Sequence, residues 1–460
     1  MQKVKSMDWK NKKVLVVGCG VSGVAAAALL ANKGAAATLF DENEKADIHK
    51  IREGLNNNPL VEIILGELSE EVLNKQQIVV LSPGVPCEGP LISRFLEKGL
   101  PLIGEIELAY LCSQGSILAI TGTNGKTTTT ALVGKIVEEY YRSSFIVGNI
   151  GIPYTKIAEK TGKDSVTVAE ISSFQLETIV DFHPKVSAVL NITPDHLDRH
   201  HTMENYANIK ARITKNQSPE EFCILNYEDP YRCLIESQCP ASIVYFSSTR
   251  QLQDGYYLKG EDLKYASGGK EEHLLNIHEM KLLGIHNVEN VLAAIAISES
   301  FGIEREHVLK VVRNFEGVEH RIEYVTTIDG VEYYNDSKGT NPDAAIKAVQ
   351  AMKGPTILIG GGYDKNSSYD QWIESFQGKV KLLVLIGQTR ERIAECAKKH
   401  GFYNIIFAET LQEAVKECYK NAKSGDFVLL SPACASWGMF PNYEVRGRIF
   451  KESVNGLKEN

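Results

Sequence analysis

The sequence predicts an α/β protein built from three domains, and two observations support this prediction. The chain has 460 residues, and globular domains average roughly 150 residues. Short apolar runs are followed by glycine-rich or acidic turns and then by helix-like stretches, which is the pattern of doubly wound parallel sheets. We place the domains at residues 1–104, 105–317 and 318–460, and we expect Rossmann-like folds in the first and the third.

Composition and charge exclude several classes of protein. Hydrophobic residues make up 43% of the chain and charged residues 23%, as in ordinary globular proteins. The net charge of −8, without a long basic run, argues against nucleic acid or an anionic membrane as a partner. The longest apolar stretch, Val24 to Ala31, is too short to cross a bilayer.

The cysteines indicate a reducing compartment. They number nine, are widely scattered and contain no CxxC pair. This distribution favours free thiols over a disulfide framework or a zinc site. We therefore expect a cytoplasmic protein that neither enters a membrane nor binds nucleic acid.

The first segment begins with a predicted strand, a glycine turn and a helix. The apolar run Val14–Val17 precedes glycines in G-x-G-x-x-G order, and Asp41 ends the next predicted strand. These glycines are Gly18, Gly20 and Gly23. A further strand, Ile78–Leu81, ends at Ser82. Such a turn can bind the diphosphate of NAD. Another diphosphate ligand could use it equally well, and the glycines could also be structural; we favour another diphosphate ligand.

The middle segment contains the most informative motif, Thr121–Thr130. A glycine-rich turn joins the apolar run Ile117–Ile120 to a helix-like stretch, and such a turn offers backbone N–H groups to phosphate. Lys126 can reach the outer phosphates of a nucleotide, and Thr127 can bind Mg²⁺. The motif is a shortened form, because the first glycine of the usual pattern would fall at Ile120. We predict a central α/β domain similar to P-loop ATPases; the alternative is a solvated turn.

Acidic and histidine residues follow two further predicted strands of this segment. Glu170 suits a Mg²⁺ ligand, although it could instead be an acid near a helix start. We interpret His196 as an auxiliary Mg²⁺ ligand rather than a zinc ligand, and we expect His200 and His201 on the surface. From spacing alone, Lys210 is an ordinary exposed lysine.

The third segment has three strand-then-loop units, which start at Val331, Thr356 and Phe427. Charged residues such as Arg321 and Lys338 lie at their edges. These cations could stabilise charge on a phosphoryl group during transfer, or they could be surface charges. Two other classes of protein stay open at this point. One is an NAD-dependent oxidoreductase, which would leave the phosphate loop unused, and the other is a nucleotide-dependent switch protein.

Taken together, the motifs resemble those of the Mur ligases of peptidoglycan synthesis over nearly the whole chain. The shared motifs, in chain order, are Gly122–Thr127, Gly148–Gly151, Glu170–Gln175, Asp195–Arg199, His286–Asn287 with Asn290, His320–Arg321 and Asn335–Lys338. The ending Leu430–Ser436, followed by Tyr443–Gly447, resembles the family members that add D-glutamate.

The resemblance implies an ATP-dependent ligation in cell wall biogenesis. The L-alanine carboxylate of UDP-N-acetylmuramoyl-L-alanine would attack the γ-phosphate of ATP, giving an acyl phosphate and ADP. The amine of D-glutamate would then displace phosphate and form an amide. The implied partners are these small molecules and Mg²⁺ at two sites, and we expect a monomer in the cytoplasm.

The resemblance also implies a role for each matching residue. The catalytic set would be Lys126, His196, Lys210, Arg321 and Lys338. Thr127 and Glu170 would bind one Mg²⁺, and His196 with a carbamylated Lys210 would bind a second. The ATP contacts would be Gly122, Thr123, Asn124, Gly125, Lys126, Thr127, Thr128, Asn287, Asn290, Arg321, Asp336 and Lys338. The substrate contacts would be Ser22, Asp41, Ser82 and Gly84 for uridine diphosphate, Asn149 for the muramoyl group, and Thr340, Lys365, Ser436 and Tyr443 for D-glutamate. Asp364 departs from the family pattern, because it stands directly before Lys365, and it receives no role.

Overall fold

The computed structural model describes residues 7–149, 151–363 and 367–459 of the chain. Its strands form three β-sheets, and helices alternate with the strands along most of the chain, so the predicted α/β architecture is confirmed. Within these described ranges, no helix is both long and apolar enough to cross a membrane.

The chain divides into two compact units. One extends to Glu279 and includes Glu289–Arg313, and the other comprises Met280–Val288 together with the residues from Asn314 onward. The domain boundaries drawn from the sequence stay predictions.

The amino-terminal part of the chain forms a parallel sheet of five strands. Its elements are β1 (Lys13–Val17), α1 (Val21–Asn32), β2 (Ala36–Asp41), α2 (Ile48–Gly54), β3 (Val61–Leu65), α3 (Glu70–Leu73), β4 (Ile78–Leu81), α4 (Pro90–Glu97), β5 (Leu102–Gly104) and α5 (Glu105–Cys112). The strand order is β3-β2-β1-β4-β5. Because β1 lies between β2 and β4, the glycine turn after β1 and Ser82 after β4 meet at one edge of the sheet.

The second sheet has nine strands and carries the phosphate-loop motif. Its strands are β6 (Ser116–Thr121), β7 (Ser144–Gly148), β8 (Val166–Glu170), β9 (Val186–Val189), β10 (Phe222–Asn226), β11 (Ser242–Ser247), β12 (Gly255–Lys259), β13 (Asp262–Ser267) and β14 (Lys270–Asn276). The helices of this part of the chain are α6 (Lys126–Tyr140), α7 (Ser173–Leu176), α8 (Leu197–His200), α9 (Met203–Ala211), α10 (Arg232–Gln238), α11 (Ile285–Ser300) and α12 (Arg305–Asn314). The order is β14-β13-β12-β11-β10-β9-β6-β8-β7, and only the β12-β13-β14 pairings are antiparallel. β6 is therefore an interior strand, third from the β7 edge, with β8 and β9 as neighbours.

The third sheet has six strands and a buried apolar cluster on either side. Its elements are β15 (Glu323–Ile328), β16 (Val331–Asn335), α13 (Pro342–Ala351), β17 (Thr356–Gly360), α14 (Asp370–Glu374), β18 (Val380–Leu385), α15 (Arg390–Lys399), β19 (Ile405–Phe407), α16 (Leu411–Asn421), β20 (Phe427–Leu430) and α17 (Tyr443–Asn455). The order is β15-β16-β20-β17-β18-β19, and only β15 is antiparallel to its neighbour. β16 and β20 are adjacent, so the chain segments that follow them meet.

Two buried glutamates of α5 form hydrogen bonds to residues that belong to the part of the chain with the second sheet. The Glu107 carboxylate accepts the backbone N–H groups of Val180, Asp181 and Phe182 at 2.8, 2.8 and 3.0 Å. Glu105 Oε1 accepts from the N–H and the hydroxyl of Thr155 at 3.0 and 2.7 Å. Buried N–H groups need hydrogen-bond partners, so we expect these two carboxylates to stabilise the folded structure.

Glu107→Ala is expected to destabilise the protein by roughly 2–4 kcal/mol, because it leaves one buried and two partly buried N–H donors without an acceptor. The measurement is urea unfolding followed by circular dichroism. Glu97→Ala, at an exposed position of α4, is the control and should be nearly neutral. Equal midpoints for the two variants would contradict a structural role for the Glu107 carboxylate.

Candidate functional site

A strand, a turn and a helix form the phosphate loop. β6 ends at Thr121, and α6 begins at Lys126. Gly125 precedes α6 with a φ of +83°, and a β-carbon there would lie 2.2 Å from Asn290 Oδ1. Gly122 has a φ of +150°. Glycine adopts such angles without strain, so the turn can bring its backbone N–H groups and the start of α6 close to an anion.

The segment after β9 holds the loop in this shape. Asn124 N–H donates to Asn191 Oδ1 at 2.8 Å, and Asn191 Nδ2 donates back to the Asn124 carbonyl at 3.0 Å. The Thr123 hydroxyl donates to the Thr193 carbonyl at 3.1 Å and accepts from the Thr193 N–H at 3.0 Å. The loop is therefore held in place before any ligand binds. Sequence analysis assigned no role to Asn191 or Thr193; their position after a strand next to β6 is the feature that could have identified them.

Two lysine side chains meet at one carbonyl oxygen of the loop. Lys126 Nζ donates to the Gly122 carbonyl at 2.8 Å and to the Thr123 carbonyl at 2.7 Å. Lys210 Nζ donates to the same Gly122 carbonyl at 2.8 Å and lies 4.6 Å from the ring centre of Tyr206. Burial holds the pKa of Lys210 well below its usual range, and the charge of Lys126 acts in the same direction. The amine of Lys210 is thus favoured in its neutral form.

Two expectations about exposure are wrong. Lys210 is only 1% exposed, because it lies on the buried face of α9 and points to the loop. His200 is also buried: its Nε2 lies 2.9 Å from Ser173 Oγ, and its ring stacks on Tyr206 at 5.1 Å. His201 is exposed, as expected.

Glu170 has a buried carboxylate oxygen close to the loop strand. It ends β8, where it is paired with Ile120 of β6. Glu170 Oε1 accepts from Asn149 Nδ2 at 2.9 Å. Glu170 Oε2 is buried and has no hydrogen-bond partner among the described residues. A carboxylate oxygen of this kind suits a hard cation such as Mg²⁺.

His196 lies at the start of α8 with a φ of +52°. Its ring packs against Phe174 at 4.8 Å, and its Nε2 lies 3.5 Å from Asp195 Oδ2. Its side chain is 47% exposed, so it remains accessible to a ligand. In the described ranges, His196, His200 and His201 do not converge as a group of metal ligands, and the zinc interpretation gains no support.

A cavity of about 640 Å³ opens at the carboxyl edge of the first sheet. Asp41 Oδ2 accepts the Cys19 N–H at 2.7 Å, and Ser82 Oγ donates to the Gly18 carbonyl at 3.0 Å, so both side chains fix the glycine turn. The volume is in the usual range for a small-molecule site. The structure brings five predicted substrate contacts into the lining of this cavity: Ser22, Asp41, Ser82, Gly84 and Asn149.

Asp336 follows β16 and is buried. Ser431 Oγ donates to Asp336 Oδ2 at 2.7 Å. Burial raises the pKa of Asp336 to about 7, while the Ser431 hydrogen bond and the charge of Arg321 act in the opposite direction. Arg321 Nε has no hydrogen-bond partner among the described residues. An acid and a cation therefore lie at the carboxyl edge of the third sheet.

Arg446 holds this edge together, although sequence analysis assigned it no role. It is fully buried, and it donates to Ser337 Oγ at 3.0 Å, to the Ser337 carbonyl at 2.7 Å and to the Cys434 carbonyl at 3.1 Å. Burial lowers the pKa of Arg446 to about 10, so it remains a cation at neutral pH. One helix turn earlier, the ring of Tyr443 faces Lys338 Nζ at 5.3 Å.

The residues predicted to bind D-glutamate are only partly described. Thr340 N–H donates to the Lys338 carbonyl at 2.8 Å. Ser436 is buried, and its carbonyl accepts from the Phe440 N–H at 3.0 Å. Lys365 and its neighbour Asp364 lie outside the described residues.

The remaining predicted ATP contacts belong to both compact units. Asn290 lies beside the loop, since its Oδ1 accepts from the Thr129 hydroxyl at 3.4 Å. Thr128 is buried in α6. Asn287 belongs to the other unit, where its Nδ2 donates to the Leu283 carbonyl at 2.7 Å. The roles given to these residues stay predictions.

Three family models match successive parts of the chain. The Mur ligase MurD-like N-terminal domain matches residues 12–104, the Mur ligase middle domain matches residues 120–298, and the Mur ligase glutamate ligase domain matches residues 320–434.

Curated relatives match the chain along its length. It is 57% identical over 451 residues to the UDP-N-acetylmuramoylalanine–D-glutamate ligase of Lachnospira eligens, covering 98% of this chain and 100% of the relative. It is 47% identical over 453 residues to the protein of the same name from Clostridioides difficile, with the same coverage.

Solved structures show the same fold at low identity. UDP-N-acetylmuramate-alanine ligase MurC from Thermotoga maritima is 21% identical, with a TM-score of 0.61 over 97% of this chain and 99% of that one. MurF ligase from Thermotoga maritima in complex with ADP is 15% identical, with a TM-score of 0.59 over 99% of this chain and 98% of that one.

Proposed function

The chain belongs to the Mur ligase family, and on this basis we propose how its residues join D-glutamate to UDP-N-acetylmuramoyl-L-alanine. The chain is an ATP-dependent ligase of peptidoglycan precursor synthesis, and its full-length relatives are named UDP-N-acetylmuramoylalanine–D-glutamate ligases. We expect it to work as a monomer in the cytoplasm.

The convergence of Lys126 and Lys210 on the Gly122 carbonyl is the observation that supports the site best. Two ammonium groups on one oxygen would repel each other, and the repulsion is stronger in a buried site than in water. A phosphate of ATP gives Lys126 an anionic partner. Loss of the proton from Lys210 removes the second positive charge. The loop is thus suited to a polyphosphate with a neutral amine beside it.

Mg²⁺ fits the oxygen atoms around the loop. The orphaned Glu170 Oε2 suits a hard cation, and the Thr127 hydroxyl follows Lys126 as in other phosphate loops. Glu170 and Thr127 would hold one ion. When bound, Mg²⁺ neutralises negative charge on the phosphates of ATP.

A second ion would be held by His196 and a carbamylated Lys210. The neutral amine of Lys210 attacks carbon dioxide, a C–N bond forms and one proton is released. The product is a carbamate, which replaces a potential positive charge by anionic oxygen atoms. Burial of Lys210 supports this modification, because the neutral amine is the reactive form.

The ligation has two steps. A carboxylate oxygen of the L-alanyl group attacks the γ-phosphorus of ATP, the bond to the ADP oxygen breaks, and an acyl phosphate forms. The neutral amine of D-glutamate then attacks the acyl carbon and a C–N bond forms. The bond between the acyl carbon and the phosphate oxygen breaks, phosphate leaves, and the nitrogen releases one proton to solvent. Lys126, Arg321 and Lys338 stabilise the negative charge that develops on the transferring group.

The two remaining substrates occupy separate sets of residues. The UDP-sugar lies in the cavity of the first sheet, on Ser22, Asp41, Ser82 and Gly84, with Asn149 at the muramoyl group. D-Glutamate is bound by Thr340, Lys365, Ser436 and Tyr443. Charge-assisted hydrogen bonds to its carboxylates give this site its specificity.

The acceptor test uses phosphate release from ATP with UDP-N-acetylmuramoyl-L-alanine and a panel of amino acids. D-Glutamate should support turnover. The kcat/KM values for L-glutamate, L-lysine and diaminopimelate should be lower by roughly 10⁴-fold, because these amino acids would leave polar groups of the acceptor site unpaired. Omission of the UDP-substrate is the control and should abolish phosphate release. Comparable turnover with L-lysine would show that D-glutamate is the wrong acceptor.

A further inference from the structure

Three side chains of different chemistry meet on the surface of the third sheet's helices. Asp370 is the first residue of α14, Cys396 lies in the last turn of α15, and His400 directly follows α15. One ligand atom from each lies within 4.8 Å of the other two. Cys396 and His400 are four residues apart, so they share one helix face.

The cluster already forms a set of polar contacts. His400 Nε2 lies 2.9 Å from Asp370 Oδ1, and Ser368 Oγ donates to Asp370 Oδ2 at 2.7 Å. Glu374 Oε1 lies 3.6 Å from His400 Nδ1. Asp370 is 45% exposed and His400 22%, so an ion from solvent can reach both side chains.

We propose that Asp370, Cys396 and His400 form a zinc site. A thiolate, an imidazole nitrogen and a carboxylate oxygen are the ligands that Zn²⁺ takes in proteins, and water can complete a tetrahedron. The sulfur and nitrogen donors distinguish this site from the oxygen ligands that Mg²⁺ prefers. None of the three residues is among those proposed to bind ATP, Mg²⁺ or the substrates, so the zinc site uses a different set of residues.

Binding requires a defined change in protonation. Burial raises the pKa of Cys396, and the neighbouring Asp370 carboxylate acts in the same direction, so the free thiol carries its proton at neutral pH. As the Zn–S bond forms, this proton passes to solvent, and His400 binds through a neutral ring nitrogen.

The surrounding charges permit a cation at this position. The carboxyl end of α15 has a partial negative charge, which favours a positive ion. Lys399 Nζ lies 3.8 Å from Asp370 Oδ1, but its side chain is 76% exposed and can turn into solvent. The bound ion would connect α14 to α15. Lys365 precedes Asp370 by five residues in the chain, so the proposed zinc site lies close in sequence to a predicted D-glutamate contact.

The test is a Co²⁺ titration of the chelator-treated full-length protein, followed by displacement with Zn²⁺. A thiolate ligand gives Co²⁺ an intense charge-transfer band in the near ultraviolet, which oxygen-ligated Co²⁺ at the Mg²⁺ sites does not produce. We expect this band to saturate at one ion per chain and to disappear on addition of Zn²⁺. Zn²⁺ should also raise the melting temperature.

Two variants and a control decide the assignment. Cys396→Ser should abolish the band, and His400→Gln should weaken Co²⁺ binding by roughly tenfold or more. Circular dichroism verifies that both variants fold. Cys233→Ser, at the exposed cysteine, should behave like the wild type. Absence of the band in the wild type, or an equal band in Cys396→Ser, would overturn the proposal and leave an ordinary Asp370–His400 ion pair.

Discussion

Lys210→Ala is expected to lower the ligation rate by roughly 10³-fold, because it would remove the proposed ligand of the second Mg²⁺. Fold and UDP-substrate binding should be unchanged, since Lys210 contacts the phosphate loop and not the cavity of the first sheet. Lys215→Ala, at an exposed position soon after α9, is the control and should keep full activity.

Carbon NMR of protein equilibrated with ¹³C-bicarbonate tests the modification directly. The wild type and Lys215→Ala should show one carbamate resonance that Lys210→Ala lacks. A fully active wild-type protein without this resonance would show that Lys210 acts as an unmodified lysine. In that case the second Mg²⁺ would need a different ligand.

The fold could be predicted well where local chemistry determines it. The turn from β6 to α6 requires positive φ angles at Gly122 and Gly125, and glycine is the residue that adopts them. Likewise, Asp41 ends β2 and Ser82 follows β4, and both strands are parallel to β1, so both residues had to lie at the carboxyl edge of the first sheet.

Burial of polar residues could not be predicted in the same way. The helix α9 contains few strongly apolar residues, and its pattern does not reveal that Lys210 faces inward. Asn191 and Arg446 act through hydrogen bonds to residues far away in the chain. Sequence spacing reports neighbours along a helix or strand, whereas these contacts depend on which strands become adjacent in the sheet.

The proposed zinc ligands illustrate the same limit. Cys396 lies in the last turn of α15 and His400 directly follows this helix, but the third ligand, Asp370, begins a different helix. A search for CxxC pairs therefore does not identify this cluster, which contains a single cysteine. Only the packing of α14 against α15 brings the carboxylate to the thiol and the imidazole.

Lys126→Ala is expected to lower kcat by roughly 10²–10³-fold, because the ammonium group that would leave the Gly122 and Thr123 carbonyls for the γ-phosphate is lost. The variant should bind the UDP-substrate normally. Lys135→Ala, at an exposed position of the same helix, is the matched control and should retain wild-type activity. Steady-state kinetics with varied ATP measure the effect, and a Lys126→Ala rate within a few-fold of wild type would contradict the role of Lys126.

The same substitution should also affect Lys210. The positive charge of Lys126 is one reason for the low pKa of Lys210, after burial. Removing this charge raises the pKa, so a smaller fraction of Lys210 is neutral and able to react with carbon dioxide. The activity that remains in Lys126→Ala should therefore rise with added bicarbonate more than the activity of Lys135→Ala does. An identical bicarbonate response in both variants would show that the charge of Lys126 does not control the protonation of Lys210.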